Sequence, residues 1–260
     1  MIALTTARPA ATIMVLRDGD GGVELLMLRR SQKASFFPHA WVFPGGRVDP
    51  ADAHVSVRGD IDDLPADGQP FAVAAIRECF EESGVWLGDG DASPALRRAL
   101  NAREATLADA GALVADLERL EMWSWWITPT IEPKRYDTRF FITALRPDEL
   151  AASDHARHDE VETVDSAWIR PADALAASDF FLAPPTYMTL RELAGYATAA
   201  DAMAAAAARE VRPIMPVHGE DRQGRLVIAL PGDPMHSDPH PASFARRVVL
   251  HNHRWIIDPE

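Results

Sequence analysis

Four ionisable side chains fall within the six residues "RECFEE": Arg77, Glu78, Glu81 and Glu82. On an α-helix, steps of three and four residues put the three glutamates on one flank, where like charges at such spacing cost about 0.2–0.5 kcal/mol per pair. Two arrangements relieve that cost. One is a solvated charged face braced by a single salt bridge, since Arg77 stands four residues before Glu81. The other is a divalent cation: Mg²⁺ and Mn²⁺ take hard oxygen ligands, and clustered carboxylates supply them. The apolar positions Val73, Ile76 and Phe80 interleave with the acids. The carboxylates therefore border a packed surface, which favours the cation.

Those same apolar positions recur at helical spacing, so "FAVAAIRECFEESG" reads as a helix stopped by Gly84. Upstream, "ATIMVLRD" (11–18) and "VELLMLRR" (23–30) flank "GDGG" and read as a β-hairpin. "AWVFPGG" (40–46) reads as a third short strand that stops at Pro-Gly-Gly. Residues 50–70 are rich in Asp, Pro and Gly and read as a loop. The Ala/Leu-rich stretch 93–120 reads as helical, with Ser93-Pro94 at its start. "MWSWWITP", "TRFFITAL" and "VETVDSAWI" read as strands. "RPADALAAS" reads as a short helix, and "PPTYMTLRELAGYATAADAMAAAAARE" as one long helix or two. Beyond it, short strands alternate with Pro-rich turns. Irregular mixing of strands and helices indicates an α+β class.

Bulk properties exclude several functions. Apolar residues make up 47% of the 260, enough for a core. A net charge of −13 repels phosphate backbones and argues against a nucleic-acid partner, while a local cation still permits a small phosphorylated substrate. The single cysteine, Cys79, forms no intrachain disulfide and fits a reducing compartment. The first residues lack a signal peptide's pattern, and no run of 18 apolar residues occurs. The expectation is a cytoplasmic protein without a membrane partner.

"FPGGRVD" followed by "RECFEESGV" resembles the Nudix box, G-x5-E-x7-R-E-U-x-E-E-x-G-U, with U apolar. The second half matches at every fixed position, from Arg77 to Val85, with Cys79 in an apolar slot. The first half departs: Gly46 and Arg77 are 31 steps apart where the pattern has 14, so a 17-residue insertion lies between them. Counting back from Arg77, the isolated glutamate of the pattern falls at Gln69, and Asp49 is a candidate to do its work. The resemblance implies a Nudix fold, a mixed β-sheet sandwiched between α-helices, with added helical segments. It implies one domain over 1–260, with insertions at 50–70 and 93–120 and a C-terminal extension from about 184. It implies Glu78, Glu81 and Glu82 as ligands of Mg²⁺ or Mn²⁺, with Arg77, Glu81 and Glu82 acting in hydrolysis of a diphosphate, and Gly45 and Gly46 giving close approach to the substrate. A homodimer is common in the family.

"LLMLRRS" running into "WVFPGGRVDPAD", "WWITP" before "KRYDTRFFITAL", and "FLAPPTYMTL" look like the peroxisomal Nudix enzymes that split coenzyme A and acyl-coenzyme A into 3′,5′-ADP and (acyl-)phosphopantetheine. The final "DPE" is not a peroxisomal address. ADP-ribose, NADH or a dinucleoside polyphosphate is the alternative substrate, and a nucleotide-binding sensor without activity the alternative class; an intact set of box glutamates weighs against the sensor. Glu160, ahead of Glu162, is the candidate general base or extra ligand, with a surface acid as the bland alternative. Arg29, Arg30 and Arg139 are candidates to hold phosphate, Lys134 and Arg135 the 3′-phosphate, and Phe43 or Trp126 a base. For the aromatics, core packing is the default. "APPT" (183–186) reads as a helix start that caps the site, and "HNH" (251–253) as chance.

Overall fold

The computed structural model describes residues 6–32, 38–60, 68–153, 156 and 163–258. In chain order the elements are β1 (Arg8–Gly19), β2 (Gly22–Arg30), β3 (Trp41–Val42), β4 (Gly45–Arg47), β5 (Val57–Arg58), α1 (Gln69–Ser83), β6 (Gly88–Asp89) and α2 (Pro94–Asn101). There follow β7 (Val114–Asp116), β8 (Glu121–Ile127), β9 (Tyr136–Ala144), α3 (Leu150–Ser153), β10 (Thr163–Ile169), α4 (Pro171–Ala176), α5 (Pro184–Leu193) and α6 (Ala199–Ala207). The chain ends with β11 (Pro213–Ile214), β12 (Val217–Glu220), β13 (Leu226–Ala229), β14 (Arg247–His251) and β15 (Arg254–Ile257).

The main sheet runs β10-β2-β1-β9-β8-β11, with β3 on β2 and β4 on β1. It is mixed: β1 pairs parallel with β9 and β11 parallel with β8, and the other pairings are antiparallel. Strand alternation divides the core. Ile13, Val15, Leu26 and Phe141 face α1, whose Ala72, Val73, Ile76 and Cys79 are buried against them. Met14, Leu16, Met27 and Ile142 face the other way, onto α4, α5 and α6. This is the expected mixed sheet between helices. Ile228, Leu230 and Val248 of the C-terminal segment join that second layer, so the four-stranded sheet β12-β13-β14-β15 packs on the same core.

Three expectations change. The strand expected over 40–46 is two: Phe43-Pro44 interrupts it, and Gly45–Arg47 then pairs with β1. Pro44 has no N–H to donate to a ladder, yet its carbonyl accepts from Ile13 N–H, so the turn itself is stitched to β1. The stretch 93–120 is helical only over Pro94–Asn101, capped by the Ser93 hydroxyl on Leu96 N–H. Arg103 then takes a left-handed backbone (φ 59°), and β7 follows between two 3₁₀ turns. High Ala/Leu content favoured a helix locally, but Val114–Asp116 finds ladder partners in both β5 and β6. The 50–70 segment opens with a 3₁₀ turn at Pro50–His54 and contains β5. Of the two readings of 184–210, one long helix or two, the second holds, as α5 and α6, and "HNH" is the turn of the β14–β15 hairpin, with Asn252 and His253 at positive φ.

Candidate active site

Helix α1 ends with Gly84 in a left-handed conformation (φ 82°), which a side chain would strain, and its N–H bonds back to Phe80. That stop leaves Glu78, Glu81 and Glu82 on the last turns of the helix, beside β4. The approach is close. A Cβ at Gly46 would stand 2.4 Å from the Glu78 carboxyl carbon, and one at Gly45 would stand 2.5 Å from the Ala11 carbonyl oxygen. Only glycine allows β4 to fill that gap. Gly45 N–H donates to Glu82 Oε2 at 2.9 Å and fixes that carboxylate against the strand.

Arg77 organises the rest. Its Nη1 donates to Glu78 Oε1 (2.9 Å) and Glu81 Oε1 (3.1 Å), and its Nη2 to the Arg47 carbonyl (2.8 Å). The other edge of the guanidinium grips Asp52 in a two-pronged contact, Nε to Oδ1 at 2.8 Å and Nη2 to Oδ2 at 3.1 Å. Asp52 is 1% exposed and in turn accepts from Asp49 N–H at 2.8 Å. Burial works against the guanidinium charge, but the Asp52 hydrogen bond and the fields of Glu78, Asp52 and Glu81 outweigh it and raise its pKa. Burial pushes the Glu81 carboxyl up, against the pull of Arg77.

Asp52 is therefore the brace that Asp49 was expected to be; Asp49 itself stays 4.0 Å from Arg77. The signal was present in the spacing. Counting six residues forward from Gly46, as the box pattern does, lands on Asp52. Counting back from Arg77 crosses the insertion and lands on Gln69.

These groups line one end of a cleft of about 1110 Å³. Phe43, Gly45, Gly46, Arg77 and the three glutamates all contribute to its wall. Arg29 does not; its strand neighbour Arg30 does, because successive side chains of a strand point to opposite faces. Arg139 also departs from expectation. It lies on the opposite face of β9 from the cleft-lining Thr138 and Phe140, buried, 3.6 Å from the Trp125 ring centroid and 4.6 Å from that of Phe71. Lys134 and Trp126 line the cleft, and Arg135 is tied to the Thr128 carbonyl at 3.0 Å. Ala183–Thr186 borders the cleft at the start of α5. Glu160 and Glu162 lie outside the described residues.

The donor set suits a hard divalent cation. Every candidate ligand is a carboxylate oxygen, and Asp52, Glu78 and Glu81 share one guanidinium with Glu82 beside them, which leaves negative charge for a cation to balance. Among the described residues no three such side chains already converge on one point; Glu78 and Glu81 are drawn to Arg77, and Glu82 to Gly45. Cys79 does not join the chemistry, since burial pushes its thiol up to about 12.

The chain is similar to several known proteins. The family described as the NUDT19 Nudix domain matches residues 54–193. A Caenorhabditis elegans protein named for a nudix hydrolase is 30% identical over 184 residues, covering 65% of this chain and 55% of that one. An acyl-coenzyme A diphosphatase NUDT19 from Gallus gallus is 25% identical over 302 residues, covering 90% and 78%. The chain thus spans just over half of the worm relative's length and about three quarters of the chicken's. Among solved structures, a NUDIX hydrolase from Alicyclobacillus acidocaldarius is 29% identical with a TM-score of 0.66, covering 78% of this chain and 97% of its own.

Proposed function

The chain belongs to the Nudix family of pyrophosphohydrolases, and from that premise we propose that it hydrolyses coenzyme A-type diphosphates, with Mg²⁺ or Mn²⁺, to 3′,5′-ADP and (acyl-)phosphopantetheine. Nudix hydrolases generally use divalent ions. A bound Mg²⁺ or Mn²⁺ would neutralise diphosphate oxygens and favour ionisation of the attacking water. Glu78, Glu81 and Glu82 are the residues proposed to hold it.

The protein's own groups have distinct tasks in this reading. Gly45 N–H holds Glu82 in place, and Arg77 holds Glu78 and Glu81. Asp52 fixes Arg77 through two hydrogen bonds, so the guanidinium stays put as the carboxylates turn toward a ligand. Arg30 and Arg47, on the cleft wall, draw an anionic substrate into a molecule whose overall charge would repel it. The observation that carries the proposal is the set of three box glutamates against the glycines of β4 at one end of a cleft large enough for a nucleotide with a long arm. The name of the chicken relative supports the choice of coenzyme A thioesters.

The test is product analysis by mass spectrometry. Purified protein with Mg²⁺ or Mn²⁺ is offered coenzyme A, acetyl-coenzyme A, ADP-ribose, NADH and diadenosine polyphosphates in parallel. Dominant 3′,5′-ADP is the expected outcome. Faster cleavage of another compound would replace the substrate while leaving the diphosphatase chemistry, and no cleavage of any would overturn both.

A further inference from the structure

The far end of the cleft is built by residues that follow the matched Nudix domain. His218 on β12, Leu226 and Ile228 on β13, and Trp255 on β15 all line it, while the family match stops at residue 193. His218 stands opposite Ile228 in the β12–β13 register, so both belong to one face of that small sheet. Leu226, Ile228 and Trp255 make the part of the wall given by the C-terminal sheet largely apolar, with His218 the polar group there. Leu226, 39% exposed, is the open part of that wall, and Pro216 borders the same end. Arg135 on the β8–β9 loop meets the Met215 sulfur at 3.8 Å, which ties loop and C-terminal segment together. Apolar side chains from three strands that line one end of a cleft mark a binding surface.

Register gives the cleft a length. Arg47, Ala10, Thr138 and Trp126 form a continuous cross-strand row through β4, β1, β9 and β8, and all four line the floor. Three strand spacings of ~4.8 Å make this row roughly 14 Å long. One end is Arg47, next to Gly46 and the glutamates. The other is Trp126, whose neighbour in the row, Ile214 of β11, leads directly into β12. A phosphopantetheine arm has about 13 bonds from phosphorus to sulfur, and at ~3.5 Å per three backbone-like bonds it extends roughly 15 Å. With its diphosphate at the glutamates and its arm along this floor, the sulfur would arrive just past Trp126.

We propose that the C-terminal sheet is the acyl-recognition wall of this enzyme: it receives the chain carried on the substrate's sulfur and sets the preference for acylated over free coenzyme A. This rests on the coenzyme A reading above. The occupant follows from polarity and distance. The glutamates lie at one end of the row; at the other, Trp126, Leu226, Ile228 and Trp255 give an apolar stretch beside Glu132 and Lys134 of the β8–β9 loop, and a thioester-linked chain is the part of the substrate that is apolar and begins at that reach.

The experiment compares wild type with Leu226→Glu, a change at a partly exposed position, with circular dichroism confirming that the variant is folded. The ratio of kcat/KM for dodecanoyl-coenzyme A to that for coenzyme A is measured with Mg²⁺. Calorimetric binding of dodecanoyl-coenzyme A in the presence of EDTA gives a readout free of turnover. The ratio should fall about tenfold or more, in line with the selectivity that a few apolar contacts supply, and binding should weaken in step. A ratio within about twofold of wild type would overturn the proposal while leaving the coenzyme A reading intact. Wild type that cleaves no coenzyme A thioester would remove both. If Leu226→Glu instead shifts the elution volume from that of a dimer to that of a monomer with the ratio unchanged, the surface belongs to a copy-to-copy contact and the proposal fails. Trp255→Ala supplies a second perturbation of the same wall and should lower the same ratio.

Discussion

Two buried arginines in this molecule keep very different company. Arg119 donates Nη1 and Nη2 to the two oxygens of Glu149 (2.6 and 2.7 Å), Nη2 also to the Ala144 carbonyl (3.0 Å), and Nε to Thr143 Oγ1 (3.3 Å). One cation meets one carboxylate, and the group is closed. Nearby, Arg58 and Arg146 both meet Asp116, and Arg58 also meets Asp89, so two cations face two carboxylates. Arg77 instead faces Asp52, Glu78 and Glu81, with Glu82 next along. A cluster that serves only the fold balances its own charge, because unpaired buried charge is costly. A cluster that leaves negative charge on a cleft wall is made to be completed from outside.

The widest separation between the two clusters should come from Glu81→Gln and Glu82→Gln. Each should lower kcat by about 10²–10³-fold, the range for removing one electrostatic stabiliser of a transition state, with the thermal midpoint held close to wild type. Near-normal turnover in both would break the assignment of the Arg77 cluster. The mirror experiment is Arg119→Met. It should cost about 3 kcal/mol in denaturant unfolding by taking the guanidinium from Glu149, which keeps only the Arg146 N–H, while kcat in the folded protein stays within about twofold. A selective loss of kcat there would erase the distinction.

Asp52→Asn sharpens the contrast from inside the Arg77 cluster. It removes the charge that balances the guanidinium while keeping the shape. Supporting residues of this kind cost about 10–100-fold when altered, so steady-state kinetics should show a fall in kcat within that range, with Asp52→Glu recovering part of it.

The smallest effect is on acid stability. Burial alone would raise the Glu149 carboxyl, but hydrogen bonds from Arg119 and Arg146 N–H, with the fields of both arginines, bring it below its ordinary value of 4.5. A depressed folded-state pKa gives stability that is fully present above the unfolded value and is lost as pH falls through the folded one. Wild type should therefore lose stability on acidification below about pH 4.5 more steeply than Glu149→Gln, as read from urea midpoints at several pH values. Parallel curves would mean that Glu149 contributes no charge-dependent stability.

The helix and its glutamates were legible because both signals are local. Apolar spacing at Val73, Ile76 and Phe80 set the helix, Gly84 set its end, and steps of three and four set the shared flank of the acids. The β1–β2 hairpin was legible for the same reason, with "GDGG" between two apolar runs. Asp52 was missed because its partner lies 25 residues away across an insertion. Arg29 and Arg139 went to the wrong face because a one-residue difference on a strand reverses direction, and register is settled by neighbours, as between β9 and β1. Residues 93–120 misled because their composition favours a helix, while the partners that make Val114–Asp116 a strand sit in β5 and β6.

By itself the sequence determined the groups gathered at one end of the cleft: three carboxylates, an arginine and two glycines, each within a short span where spacing and geometry are the same thing. Tertiary structure alone decided which acid braces Arg77, which arginine of each strand meets the cleft, and that residues 216–255 close its far end. Those are contacts between segments distant in the chain, and they follow from how the sheets pair and pack, for which a local pattern carries no signal.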